Sequence, residues 1–233
     1  MIYTGFYIIS ALFVINKLST FSKINLGIIM GLMVPDLDIF FKYLNFNNNF
    51  HGGVFHSIFF STLVFIILLI ISEFKDVHTT NSKVIHRTIV NGIFMGILIH
   101  IFLDILLSGG EILFYWPLPI KPIDSLFKIN LNYELLYVLS CLQFLLLRYF
   151  GYKMNSMLIK MKSLNRNHCK SINTISRFMK YQFVLFLSFL MLFILNIQFS
   201  IALIDFSIFS SLLIALYFSY NIKEIFNKDI KIG

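Results

Sequence analysis

Residues 54–72, VFHSIFFSTLVFIILLIIS, carry no Asp, Glu, Lys or Arg and are almost entirely aliphatic or aromatic after Ser57. A run of roughly 17 to 25 such residues is what crosses the hydrocarbon core of a bilayer. The backbone of such a segment has no water to bond to, so it satisfies itself as a helix. Six other stretches share the character: 1–16, 24–41, 88–107, 131–149, 183–203 and 205–221. The first, second and last are short, and each reads as a partial or tilted span. The chain is 58% hydrophobic and 13% charged, against about a quarter charged in a soluble domain. The expected fold is therefore all-α, a polytopic transmembrane helical bundle of about five to seven spans. The apolar N-terminus has no basic residue before Lys17, so it reads as a retained helix rather than a secretory signal.

The basic residues orient this bundle, because loops rich in Lys and Arg stay on the cytoplasmic side. Residues 150–182 read as one such loop, with Lys153, Lys160, Lys162, Arg166, Lys170, Arg177 and Lys180 and no acid. With that loop inside and the segments threaded alternately, all but Lys42, Lys121 and Lys128 of the 19 lysines and arginines share its face. The C-terminus falls inside and the N-terminus outside. This places the chain in an inner or plasma membrane, with the basic loop and the C-terminus cytoplasmic. It also accounts for the net charge of +8. The cations face anionic lipid, and no nucleic-acid partner is expected. The loop mixes Met, Leu and Ile among its cations, as an amphipathic helix on a membrane surface would. Cys141 and Cys169 lie far apart, in an apolar segment and in the basic loop, and read as two unpaired thiols.

Ionisable groups inside apolar segments are costly and mark functional sites. In GLMVPDLDIFF, Asp36 and Asp38 follow Pro35, which ends or kinks the helix. Acids two residues apart do not share a helix face, so one can point into the bundle while the other caps the turn. In FHGGVFHSIFF, His51 and His56 flank the turn-forming pair Gly52–Gly53; read alone, this is equally a solvated loop. In GILIHIFLDILLSGG, His100 and Asp104 stand one helical turn apart on one face. They can offer inward ligands, or simply bond two helices together. ILFYWPLPIKP holds Trp116, the only tryptophan, among three prolines. It is an interfacial anchor or a loop folded back over a site.

The threading derived from Lys and Arg brings Asp36, Asp38, His51, His56, His100 and Asp104 to the outer ends of neighbouring segments. Imidazole with carboxylate suits zinc, or manganese or iron with more oxygen ligands. A first domain, 1–130, would hold this site, and a second, 131–233, the C-terminal helices and the basic loop.

GLMVPDLD, FHGGVFHS, GILIHIFLD and FYWPLP, in this order, resemble the YdjM-like inner-membrane family of metal-dependent hydrolases, also called LexA-binding. The resemblance covers residues 25–120. Its pattern joins D-x-D at a helix end, an H-R-G-x-T-H-S motif, H-x-x-x-D on a later helix and a W-P-F-type loop. Through a distant similarity of that family, it extends to the zinc-dependent phospholipase C and single-strand nuclease superfamily. The resemblance implies a metal site of Asp36, Asp38, His51, His56, His100 and Asp104, with Ser57 beside it. Gly52 stands where the family has arginine, Phe55 where it has threonine, and no histidine precedes His51.

The expected function is an integral membrane metal-dependent hydrolase acting on a phosphoester or lipid head group near the outer leaflet. Asp36, His56, His100 and Asp104 would be ligands, Asp38 a ligand or general base, and His51 a ligand or proton donor. The alternatives are a metal-ion or proton transporter and a non-catalytic scaffold with a structural metal.

Overall fold

A computed structural model describes residues 4–17, 22–38, 53–74, 80–107, 111–127, 133–160, 166–195 and 200–228. The described chain is mainly helical and divides into two compact units, Met1–Asn132 and Tyr133–Gly233.

In the first unit, helix α1 (Thr4–Lys17) precedes α2 (Lys23–Gly31), which a short 3-10 turn, Pro35–Asp38, follows. A second 3-10 turn, Val54–His56, leads into α3 (Ile58–Phe74), and α4 (Thr80–Leu107) comes next. The expected span 24–41 is thus corrected. Its helix stops at Gly31, and nine residues rise only about 14 Å, well short of an apolar core of about 30 Å. Pro35, whose ring cannot continue the hydrogen-bond ladder, starts the turn that carries both acids.

What holds α2 is glycine. Gly27 and Gly31 on α2 face Gly92 and Gly96 on α4 at backbone contact. A Cβ on Gly31 would run into the carbonyl oxygen of Ile93 and sit 2.9 Å from the Cα of Gly96; a Cβ on Gly96 would run into the carbonyl of Ile28. Small residues four apart on both helices let backbones touch where lipid offers no hydrophobic driving force. Because Asp36 follows Gly31 closely and His100 is one turn beyond Gly96, this seam fixes the acid turn against the histidine.

Helix α3 lies on α4 through the stacked rings of Phe65 and Phe94, 4.5 Å between centroids. Ser57 is its N-cap: the Phe60 N–H donates to Ser57 Oγ at 3.1 Å, and the Ser57 hydroxyl donates to the Val54 carbonyl at 2.7 Å. The cap fixes where His56 leaves the helix end. Ser57→Ala is expected to lower stability by about 1 kcal/mol in reversible unfolding, with metal binding nearly unchanged. Strands β1 (Glu111–Ile112) and β2 (Ile123–Asp124) form an antiparallel hairpin pairing Glu111 with Asp124. It is sewn to both neighbours: the Ile58 N–H donates to the Phe114 carbonyl at 3.0 Å, and the Leu126 N–H to the Ile105 carbonyl at 2.9 Å. Trp116 meets Phe59 edge-on at 5.8 Å.

The second unit has helices α5 (Tyr133–Lys160), α6 (Arg166–Ile194) and α7 (Ser200–Lys228). The cationic stretch 150–182, expected as a loop with amphipathic-helix character, is largely helical. Helices α5 and α6 run through 150–160 and 166–182, because Lys, Arg, Met and Leu are good helix formers whatever their charge. The boundary between the last two segments also moves, since α6 ends at Ile194 and α7 begins at Ser200. The side chain of Gln182 ties the three helices together. It accepts from Arg148 Nη1 at 2.9 Å and donates to Ser211 Oγ at 2.9 Å and the Ser207 carbonyl at 3.0 Å.

Among the described residues, three helical stretches are long and apolar enough to cross a membrane: Lys83–Leu107, Ile172–Ile194 and Leu203–Ile222. Thr4–Phe13 and Ile58–Glu73 are apolar but shorter. On α3 the large side chains Phe59, Leu63, Ile66, Ile67, Ile70 and Ile71 are all exposed, an outward face suited to lipid rather than water.

Candidate metal centre

Three pieces of the first unit meet at one point: the acid turn after α2, the end of the turn before α3, and the last turns of α4. They bring Asp36, Asp38, His56, His100 and Asp104 together, and each is at most 4% exposed. His51 lies outside the described residues.

The two imidazoles approach one another with ring centroids 5.5 Å apart, and the carboxylates surround them. Asp104 Oδ2 is 3.1 Å from His56 Nε2 and 3.2 Å from His100 Nε2. Asp36 Oδ1 is 3.9 Å from His56 Nε2 and 3.7 Å from His100 Nε2. A tetrahedral ion with bonds of about 2.1 Å has ligand–ligand edges of about 3.4 Å. The four measured edges bracket that value. One donor atom from each of Asp36, His56 and His100 lies within 4.8 Å of the other two, as a shared ion requires.

The outer bonds of the histidines set their chemistry. His100 Nδ1 is 2.7 Å from the Leu32 carbonyl. A carbonyl only accepts, so Nδ1 carries the proton and a neutral ring has its lone pair on Nε2, aimed at two carboxylates. On His56 the corresponding atom, Nδ1, stands 3.5 Å from Asp38 Oδ2, within ion-pair reach but not hydrogen-bonded to it. On His100 the outer carbonyl orients the imidazole whose other nitrogen faces the cluster, the usual support of a metal-ligating histidine; on His56 the Asp38 carboxylate stands on the corresponding side. This separates the two acids of the D-x-D motif. On a 3-10 turn, residues two apart point about 240° apart, and Asp36 faces the Nε2 side while Asp38 faces the Nδ1 side.

Neither oxygen of Asp36 has a hydrogen-bond donor among the described residues, and His100 Nε2 has no hydrogen-bond partner among them. A buried carboxylate facing imidazole lone pairs is strongly unfavourable without a positive charge between them. The donor set, the spacing and these orphaned atoms all fit a divalent cation. Asp38→Asn is expected to weaken metal binding by about 10- to 100-fold without abolishing it, as measured by competition with a chromogenic chelator.

Two further groups come from places the motifs do not mark. The Tyr7 hydroxyl on α1 donates to Asp104 Oδ1 at 3.0 Å, and its ring meets that of His100 edge-on at 5.3 Å. A tyrosine in an apolar helix reads from sequence as an interfacial anchor, so nothing flagged it. The Leu32 carbonyl is backbone and leaves no sequence trace. The acids Glu111 and Asp124 are exposed on the hairpin and stand outside the cluster.

A helical chain with helices fit to cross a bilayer and a buried His–Asp cluster able to bind a metal ion belongs to the class of membrane-embedded proteins. The model of the YdjM inner membrane protein family matches residues 3–202. The chain belongs to that family, and the match runs well beyond the 25–120 stretch in which the resemblance was legible, into the helices of the second unit. No match is found among curated proteins or solved structures.

Proposed function

We propose that this protein is an integral membrane metal-dependent hydrolase acting on a phosphoester, with a lipid head group at the outer leaflet as its substrate and the cationic stretch 150–182 and C-terminus on the cytoplasmic side. The observation that carries the proposal is the pair of imidazole Nε2 atoms converging on the carboxylates of Asp36 and Asp104. Asp36, His56, His100 and Asp104 would hold the ion, and zinc suits the tetrahedral edges best. A bound divalent cation supplies Lewis acidity and lowers the pKa of water. The chain's own groups do the rest. Leu32 and Asp38 hold the imidazoles, and burial keeps bulk water away. His51, in the segment joining the two turns, would supply a proton donor or a further ligand, and Asp38, on the Nδ1 side of His56, would serve as general base through that imidazole.

The test is hydrolysis of a chromogenic phosphodiester and of a phospholipid in mixed micelles by detergent-purified protein. Turnover that needs added zinc and is lost in His100→Ala supports the proposal. One observation favours a second reading, a structural metal in a non-catalytic scaffold: four protein groups surround the point, and closed four-ligand sites are typically structural. Stoichiometric metal with neither substrate cleaved would decide for that reading.

A further inference from the structure

The two oxygens of Asp104 have different partners. Oδ2 stands 3.1 and 3.2 Å from the two imidazole nitrogens, while Oδ1 accepts the Tyr7 hydroxyl at 3.0 Å. The phenol is 6% exposed, and its ring is fixed edge-on against His100. The hydroxyl therefore cannot swing away without losing a packed contact. Tyr7 enters from α1, which brings no other group to the cluster among the described residues.

From this we infer that Tyr7 is a positioning residue that sets metal preference, by holding Asp104 so that a single oxygen is presented to the ion. This rests on the metal-centre reading above. A carboxylate with both oxygens free can bind through two atoms and raise the coordination number, which larger oxygen-preferring ions favour. A carboxylate with one oxygen tied by a phenol offers one atom, which suits the low coordination number of zinc. The residue thus discriminates zinc from manganese without itself touching the ion.

Tyr7→Phe removes the hydroxyl and keeps the ring against His100. Purified native protein and variant are titrated with zinc and with manganese against a competing chelator, and both are loaded with cobalt(II) for visible spectroscopy. The expected result is a fall in zinc-over-manganese preference of at least about tenfold, the lower end of what loss of an outer hydrogen bond does at a metal site. The intense visible absorption of four-coordinate cobalt weakens in the variant. Equal losses for both metals with an unchanged cobalt spectrum would show a merely structural tyrosine and overturn the inference. So would unchanged affinities. If the native protein binds neither metal, the metal-centre reading fails first and this inference with it; if it binds metal and the variant behaves identically, only the role of Tyr7 fails.

Discussion

Gly31→Leu is expected to unfold the first unit and empty its metal site together. The added side chain would begin inside the Ile93 carbonyl and 2.9 Å from the Cα of Gly96. Both obstacles are backbone, so no rotamer change relieves them. Overpacking a core ordinarily costs about 1–3 kcal/mol, and a clash with a neighbouring helix backbone belongs at or above the top of that range. Against a total stability of about 5–15 kcal/mol, that loss is severe. Separating α2 from α4 also moves Asp36 away from His100, so metal content falls with stability. Gly151→Ala is the contrast. There a Cβ would meet the flexible end of Met179 at 3.2 Å and, in ordinary contact, Ile214 Cγ2 at 3.9 Å, and a small change in melting temperature is expected. Thermal unfolding of the two variants in one detergent checks both outcomes. Equal tolerance of the two substitutions would show that the seam does not hold the helices.

His100→Ala is expected to lower metal affinity by more than about 100-fold while leaving the helical content intact. Removing even an outer partner of a ligand costs about 10- to 100-fold, and in the proposed centre His100 is itself a ligand, its Nε2 lying 3.7 Å from Asp36 Oδ1 and 3.2 Å from Asp104 Oδ2. The truncation leaves those two carboxylates facing one another with less to compensate them. Asp124→Asn, on the exposed edge of the hairpin, is a control substitution outside the cluster and is expected to bind metal as the native protein does. Competition titration of both variants measures the difference.

Much of the cluster could be read from the chain before any coordinates. The i, i+4 spacing of His100 and Asp104 survives directly, because both lie on one uninterrupted helix. The threading by basic residues put the acid turn, His56 and the end of α4 at one level, and the structure brings these groups within a few ångströms of each other. What escaped has physical causes. The apolar run 24–41 continues past the end of its helix, so hydropathy could not see the stop at Gly31; only Pro35 hinted at it. The paired glycines were visible as two G-x-x-x-G spacings, but such a spacing acquires meaning only when a second one faces it, and the chain does not say which segments face. The cationic stretch 150–182 reads as a cytoplasmic loop with the residue mix of an amphipathic surface helix; its helical character was legible because charge leaves helix propensity intact, while its continuity with the apolar helices on either side was not. The roles of Asp36 and Asp38 separated only once the turn was seen to be 3-10.

The most direct measurement is the metal content of the native protein, purified in detergent without added chelator and analysed by inductively coupled plasma mass spectrometry. The geometry of the two imidazoles and their carboxylates predicts about one divalent ion per chain, zinc foremost, and its loss in His100→Ala. A folded native protein that carries no transition metal, and takes up none on dialysis against zinc, would contradict the metal centre itself.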